Sequence, residues 1–344
     1  MKKKLLPLAA TLLVALLFSG CASPQKTINV YNWGEYINQD VLRMFEQETG
    51  IHVVYTTFAS NEEMYAKIKA GAGDYDVLIP SDYMIERLAS EGLLHPINWE
   101  NVPNAALIDD LFKNPGYDPE GLYSVPYMWG TVGICYNTTM VDDPVDSWDI
   151  LWNEKYARKI LMYNSSRDSM MVALRRLGYD MNTRNIDELN EAAQLLAQQK
   201  PLVLSYVEDD VNDKMIAGEA ALAVMYSGAA LESIDQNPDL AYAVPKEGTN
   251  IWVDAMVILK SGKHKEEAEA FINFMCRTDI ALMNVEEIHY STPQVEAFAA
   301  LDEETRNDPG AYPPDEILAL CDEFKDLGEF AKEYDELWTR IIAQ

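Results

Sequence analysis

Apolar positions along the chain follow two alternating periods, one typical of strands and one typical of helices. In the first part, short β-rich runs cover residues 27–31, 53–58 and 76–80, and helical spacing fills the intervals between them. One helix is predicted over 38–49. The next is expected to open with a capping box formed by Ser60 and Glu63. Strand–helix alternation of this kind predicts an α/β fold with a mainly parallel sheet.

A loop rich in Gly, Pro and Asp, residues 114–126, separates this part from a second αβ series. The predicted strands of that series are 128–137, 159–163, 202–206, 220–225 and 251–259, and the predicted helices are 168–177, 186–198, 208–217, 264–276, 278–286 and 326–342. Two αβ lobes joined by extended strands are suited to a cleft that closes on a ligand. The pattern alone therefore predicts a two-lobed α/β protein, either a binding protein or an enzyme.

The N-terminus has the features of a lipoprotein signal peptide. Three lysines precede an apolar run over 5–18, and Ser19 and Gly20 lead to Cys21. The run is short for a membrane span, so we expect cleavage after residue 20, lipidation of Cys21 and a tether over 21–26. A retained N-terminal membrane anchor is the alternative. No later segment has the length and apolarity of a span, so we expect an extracytoplasmic protein held to the cell membrane by its lipid alone.

The chain is strongly acidic, with a formal net charge of −29 that becomes −32 when the three lysines of the signal peptide are removed. Such a charge repels nucleic acid and attracts cations. An acidic surface that only maintains solubility explains the same net charge. Charge therefore favours cationic partners without identifying one.

Cysteine and histidine spacing gives no indication of a metal, a cofactor or an enzyme. Besides Cys21 the chain has Cys135, which we expect to be a buried free thiol, and Cys276 and Cys321, for which a disulfide is an open alternative. The four histidines lie far apart without ligand spacing, and nucleophile-elbow, P-loop, Rossmann and zinc-protease motifs are all missing from the sequence. We therefore expect no catalytic site and no bound metal or cofactor.

Aromatic residues recur beside the predicted strand ends, together with isolated carboxylates. Those we single out are Trp33, Tyr36, Tyr83, Tyr226, Trp252, Asp254 and Tyr290. Ligands of open α/β sheets bind at the carboxyl ends of strands, and Trp252 and Asp254 share one side of theirs. Rings that stack on methylenes and attract ammonium groups, with carboxylates at the ends, suit an organic amine. Any one of these aromatics could equally be a core residue; the recurrence at strand ends favours a site.

At these residues the sequence resembles the spermidine/putrescine-binding proteins of polyamine ABC transporters. The matching stretches are VYNWGEY (30–36), EQETGI (46–51), NEEMYAKIK (61–69), YDVLIPSDY (75–83), SVPYMWG (124–130), ALRRLGY (173–179), VPKEG (244–248), WVD (252–254) and YSTP (290–293). The resemblance runs from near residue 28 to the C-terminus.

The resemblance implies a type II periplasmic-binding-protein fold, a monomer, and ABC permease subunits as partners. It places lobe 1 at residues 27–131 plus 254–300 and lobe 2 at 132–253 plus 301–344, with crossings near 130–133 and 252–256. It implies that Asp254 and Asp168 each bind an amine. It also implies an aromatic box around the ligand, formed by Trp33, Tyr36, Tyr83, Trp252 and Tyr290.

The sequence departs from the family at several positions. Ser165 stands where spermidine binders have a second acid, Tyr226 replaces a tryptophan, and Lys325 lies near a glutamine used at one end of the site. A lysine there would repel an ammonium, and the loss of an acid would remove an anchor. These departures therefore favour putrescine over spermidine as the ligand.

Other functions remain open at this stage. A binding protein of the same fold could take a sugar, an anion, ferric ion or another organic cation, although no Tyr-Tyr dipeptide of the kind common in iron sites occurs. An enzyme on this fold would need a nucleophilic cysteine, and Cys135 lies in mid-strand. A surface receptor that has lost transport is the third alternative.

Overall fold

The computed structural model describes residues 26–208 and 210–343. The expected signal peptide, Cys21 and most of the tether lie outside these residues. No helix of the described chain is long and apolar enough to cross a membrane.

The described residues form ten strands and thirteen helices, with several short 3-10 turns between them. The strands are β1 (Thr27–Trp33), β2 (His52–Phe58), β3 (Val77–Leu78), β4 (Leu94–His95), β5 (Ser124–Asn137), β6 (Ile160–Tyr163), β7 (Val203–Val207), β8 (Leu222–Tyr226), β9 (Leu240–Ala243) and β10 (Ile251–Leu259). The helices are α1 (Gln39–Thr49), α2 (Asn61–Lys69), α3 (Asp82–Ser90), α4 (Ser166–Arg176), α5 (Ile186–Gln199), α6 (Val211–Ile216), α7 (Ser227–Gln236), α8 (Lys265–Met275), α9 (Thr278–Ile288), α10 (Val295–Ala300), α11 (Glu303–Arg306), α12 (Asp315–Leu318) and α13 (Ala331–Ala343).

Local sequence signals account for several helix ends. Ser60 caps α2 by accepting the Glu63 N–H at 3.1 Å, and Glu63 Oε2 in turn accepts the Ala59 N–H at 3.3 Å. The predicted capping box is therefore confirmed, with its return bond displaced by one residue. Gly50 ends α1 in the left-handed conformation, at a φ of 71°, which glycine adopts without strain.

Two sheets share one long strand. The first has the order β2-β1-β3-β10-β5 with β4 paired to β10, and the second has the order β5-β8-β6-β7 with β9 paired to β5. Residues 124–131 of β5 pair antiparallel with β10, whereas residues 132–137 pair with β8 and β9. The pairing of β5 thus changes between Thr131 and Val132, which joins an αβ lobe on each side. The predicted two-lobed α/β fold is confirmed.

A second connection between the two sheets lies at the start of β10. Ile251 pairs with Thr131, so the whole of β10 belongs to the first sheet. Just before it, the Val132 N–H donates to the Asn250 carbonyl at 3.1 Å. Side chains of both β5 and β10 are buried almost throughout, because each strand is covered on both faces.

The structure adds elements that the sequence did not predict and shortens others. Helix α7 and strand β9 are new, β3 is shorter than the predicted 76–80, and the last helix starts at Ala331 rather than 326. In α7 the buried residues are small, Ser227, Gly228, Ala230 and Ser233 among them, so no strong apolar stripe marks it.

The cysteines of the described chain are all free. Cys135 and Cys276 are buried, and Cys321 is partly exposed. The Cys276–Cys321 disulfide left open by the sequence does not form. Burial raises the pKa of the Cys135 thiol to about 12, the opposite of what a nucleophilic cysteine requires.

Candidate functional site

Four of the predicted aromatics form a continuous chain of ring contacts where the two sheets meet. The Tyr36 and Tyr290 centroids are 5.6 Å apart, those of Tyr290 and Trp252 are 5.0 Å apart, and those of Trp252 and Tyr226 are 6.0 Å apart. All three pairs are edge-to-face, an arrangement that aromatic rings favour. Tyr36 follows β1, Tyr226 ends β8 and Trp252 lies in β10, so the chain joins elements of both sheets.

Two glycines make room for this aromatic chain. A Cβ atom at Gly228 would lie 2.3 Å from Tyr290 Cδ1, and one at Gly130 would lie 2.7 Å from Trp252 Cζ2. Both distances are far below van der Waals contact. The rings of Tyr290 and Trp252 therefore pack directly against backbone, which fixes their positions.

Asp168 lies at one end of the aromatic chain. Its Oδ2 atom accepts the Tyr226 hydroxyl at 3.1 Å and the Ser165 hydroxyl at 2.6 Å, and Ser165 also caps α4. The side chain is buried, and Oδ1 has no hydrogen-bond partner among the described residues. Burial raises the pKa of Asp168, while the Ser165 and Tyr226 hydroxyls and the charge of Arg167 oppose that rise.

Asp254 lies at the other end, beside Tyr36. It is also buried, at 5 % exposed, and its Oδ1 atom has no partner within the described chain. Burial raises the pKa of Asp254 to about 7, although the hydroxyls of Ser81 and Tyr36 hold it down. The Tyr36 hydroxyl faces this carboxyl without a hydrogen bond of ordinary geometry to any described residue.

The two buried carboxyl groups share one property that decides their chemistry. Among the described residues, neither Asp168 nor Asp254 forms an ion pair with a Lys, Arg or His side chain. A buried carboxylate without a cation is unstable, and each has an oxygen free to accept a hydrogen bond. The arrangement can bind an organic cation whose charged ends meet the carboxylates and whose apolar stem lies against the rings.

The remaining predicted site residues lie at the margin of this cluster. Trp33 packs on Phe58 with centroids 4.6 Å apart, and its buried Nε1 has no partner among the described residues. The Tyr83 hydroxyl accepts from Asn61 at 3.1 Å and donates to Glu62 at 3.0 Å.

Lys325 is not brought into the cluster by its side chain, which is exposed. Its backbone is held instead: its N–H donates to Asn182 at 2.9 Å, and its carbonyl accepts from Arg167 at 3.3 Å.

Three titratable residues were missed by the sequence analysis: Asp82 and Tyr117, whose pKa values the charge of Asp254 raises, and Glu323, whose charge raises both of those pKa values. Asp82 is 1 % exposed and accepts the Tyr83 N–H at 2.7 Å and the Val253 N–H at 3.4 Å. Tyr117 and Glu323 come from irregular segments that carry no periodic signal. Asp82 could have been found from its position directly after β3, in the same strand-end motif as Tyr83.

No group of three or more His, Cys, Asp or Glu side chains in the described residues is arranged to hold a metal ion. The fold and the site thus define a class: a two-lobed solute-binding protein of the periplasmic-binding type, with aromatic rings and buried carboxyl groups where its sheets meet.

Comparison with known proteins gives the family. The family model described as "Bacterial extracellular solute-binding protein" matches residues 40–313, and the chain belongs to that family. This assignment bears out the expectation that the chain binds a solute rather than catalysing a reaction.

Individual relatives agree with the resemblance drawn from the sequence, which is confirmed. The chain is 34% identical to the spermidine/putrescine-binding periplasmic protein of Salmonella typhimurium, over 98% of this chain and 97% of the relative. It is 31% identical to the putrescine-binding periplasmic protein SpuD of Pseudomonas aeruginosa, over 97% and 96%. Among solved structures, a spermidine/putrescine ABC transporter substrate-binding protein, PotD of Streptococcus pneumoniae, matches with a TM-score of 0.84 and 38% identity, covering 92% of this chain and 99% of that one.

Proposed function

We propose that this chain is the extracytoplasmic substrate-binding component of an ABC importer and that it binds putrescine, spermidine or both. The observation that carries the proposal is the pair Asp168 and Asp254: two buried carboxyl groups at opposite ends of an aromatic chain, neither of them ion-paired with any residue that the structure describes. The names of the relatives point to the same class of ligand.

Each group of the cluster has a distinct part in this function. Asp168 and Asp254 each accept hydrogen bonds from a terminal ammonium, and the charge of the ligand stabilises their ionised forms. The rings of Trp252 and Tyr290 contact the methylenes and attract the ammonium groups, at about 0.5–2 kcal/mol for each cation–π contact. The Tyr226 hydroxyl orients Asp168 through its 3.1 Å hydrogen bond.

The lobes and the anchor complete the proposal. Lobe 1 comprises residues 27–131 plus 254–300, and lobe 2 comprises 132–253 plus 301–344, so that a ligand between them draws both together. We propose that the protein acts as a monomer, lipidated at Cys21 and held to the membrane by that lipid, and presents its closed form to the permease subunits.

Calorimetry on the ligand-stripped protein tests the proposal. Putrescine or spermidine should bind with a 1:1 stoichiometry. Asp254→Asn and Asp168→Asn should each lower affinity by at least about tenfold, since each removes a charge-assisted hydrogen bond. Glu329→Gln is the matched control, because Glu329 is 86% exposed and its ion pair with Lys332 lies at the surface. It should bind like the wild type.

The alternatives predict other results. A native mass spectrum that shows a co-purified sugar or a different organic cation, with no polyamine binding, would replace the ligand assignment. Polyamine binding together with unchanged uptake after deletion of the gene would favour a surface receptor.

A further inference from the structure

Helices α3 and α4 approach each other across the cleft at their first turns. Each follows the carboxyl end of a strand, α3 after β3 of the first sheet and α4 after β6 of the second. The guanidinium carbon of Arg167 in α4 lies 5.8 Å from the centroid of the Tyr83 ring in α3, within the range of a cation–π contact. The two lobes therefore meet here through side chains of the protein itself.

The segment 323–326, between α12 and α13, is fixed to this place from the side of the second sheet. The Asn182 side chain, in the connection between α4 and α5, donates to the Glu323 carbonyl at 2.9 Å and accepts the Lys325 N–H at 2.9 Å. The Arg184 guanidinium donates to the Asp326 carbonyl at 3.1 Å. The backbone of the segment therefore belongs to the lobe that carries α4.

One peptide group of this segment is held from both lobes at once. On the side of α4, Arg167 Nη1 donates to the Lys325 carbonyl at 3.3 Å. On the side of α3, Glu86 Oε2 accepts the Asp326 N–H at 2.9 Å. This carbonyl and this N–H belong to the same peptide bond, so an arginine of one lobe and a glutamate of the other bind its two ends.

The chemistry of this bridge makes it stronger than an ordinary backbone contact. Both hydrogen bonds are charge-assisted, since a guanidinium donates to the carbonyl and a carboxylate accepts from the N–H. Each bond polarises the peptide group in the direction that strengthens the other. The Glu86 side chain is only partly exposed, so water competes with its bond less than it would on an open surface.

The position of Glu86 on α3 ties the bridge to the opening of the cleft. Glu86 lies three residues after Tyr83, so the two side chains share one face of the helix. On that face Tyr83 meets Arg167 and Glu86 meets the Asp326 N–H. A movement that opens the cleft separates α3 from the segment 323–326 and must therefore break the Glu86 bond.

We infer that the hydrogen bond from the Asp326 N–H to Glu86 is a latch across the cleft, and that Glu86 slows the release of bound ligand without binding the ligand itself. This inference rests on the proposed function. Ligand enters the open form, in which the latch is broken, and leaves only when the closed form opens. Glu86 is therefore a positioning residue that acts on the dissociation rate and not on the association rate.

The binding kinetics of putrescine and of spermidine, measured on ligand-stripped protein, test the inference. Calorimetry gives the dissociation constant and stopped-flow tryptophan fluorescence gives the association rate constant; their product is the dissociation rate. Glu86→Ala should raise the dissociation rate by at least about fivefold and change the association rate constant by no more than about twofold. Both polyamines should show the same change, because the latch contacts neither of them.

Two further variants separate the latch from other roles of a carboxylate. Glu86→Gln keeps an oxygen that can accept the Asp326 N–H, so its dissociation rate should stay within about threefold of the wild-type rate. Glu266→Ala removes a carboxylate from an exposed position in α8 and should change neither rate by more than about twofold.

The possible failures are distinguishable. A wild type that binds neither polyamine refutes the proposed function and, with it, this inference. If the wild type binds, an unchanged dissociation rate in Glu86→Ala, or slower association in place of faster dissociation, refutes the latch and leaves the proposed function intact. An equal loss in Glu86→Gln and Glu86→Ala also refutes the latch, because the charge of Glu86 would then hold the ligand directly.

Discussion

The stability of the ligand-free protein should depend on the protonation of Asp254. Burial raises the pKa of this carboxyl from 3.8 to about 7 in the folded state, whereas the unfolded chain restores an ordinary value. Between about pH 4 and about pH 7 the folded state therefore holds a proton that the unfolded state has lost. Stability from this group is complete at low pH and is lost as the pH rises through the folded-state pKa.

The size of the effect follows from the shift. A difference of about three pKa units, at about 1.4 kcal/mol for each unit, gives about 4 kcal/mol of stability lost by about pH 8. Asp254→Asn removes the ionisable group. Its free energy of unfolding should therefore fall less steeply with pH than that of the wild type, by up to about 1.4 kcal/mol for each pH unit within the window.

Urea unfolding of ligand-stripped protein, at intervals from about pH 4.5 to about pH 8, measures how the free energy of unfolding depends on pH in the wild type and in Asp254→Asn. Ligand is removed by unfolding, dialysis and refolding. The curve for exposed Glu329→Gln should run parallel to the wild type. Parallel curves for wild type and Asp254→Asn would show that the carboxyl titrates near its ordinary pKa and that its burial does not disfavour the charged form.

Two further predictions concern the aromatic chain. Gly228→Ala would place a Cβ 2.3 Å from the Tyr290 ring, so the ring must move and ligand affinity should fall by at least about tenfold. Gly34→Ala is the control: a Cβ there meets nothing within 4 Å, so this variant should bind the ligand like the wild type. Unchanged calorimetric affinity in Gly228→Ala would mean that Tyr290 is not part of the site. Tyr226→Phe removes the 3.1 Å hydrogen bond to Asp168, which should raise the pKa of that carboxyl and make polyamine binding weaken more steeply as the pH falls. Identical pH profiles of binding for variant and wild type would contradict this.

Local rules were sufficient to predict much of the fold and the middle of the site. The capping box at Ser60 and the apolar run of β10 depend on residues close in sequence, and the structure has both. The same holds for Trp252 and Asp254: strand alternation puts them on one side, and both lie in the cluster.

Elements that depend on distant packing could not be predicted in this way. The start of α7 is built from small residues because the Tyr290 ring occupies the space beside Gly228. Glycine near a helix start has low helix propensity, and only the contact with a residue more than sixty positions away explains its presence.

The charge of the site was the hardest property to predict, because it depends on irregular segments. Between α12 and α13 no periodicity indicates which side chains turn inward, and the family pattern drew attention to Lys325. In the structure the side chain of Lys325 is exposed, and its backbone is held by Asn182 and Arg167. The segment between α12 and α13 is therefore the part of the chain where the sequence placed side chains least well.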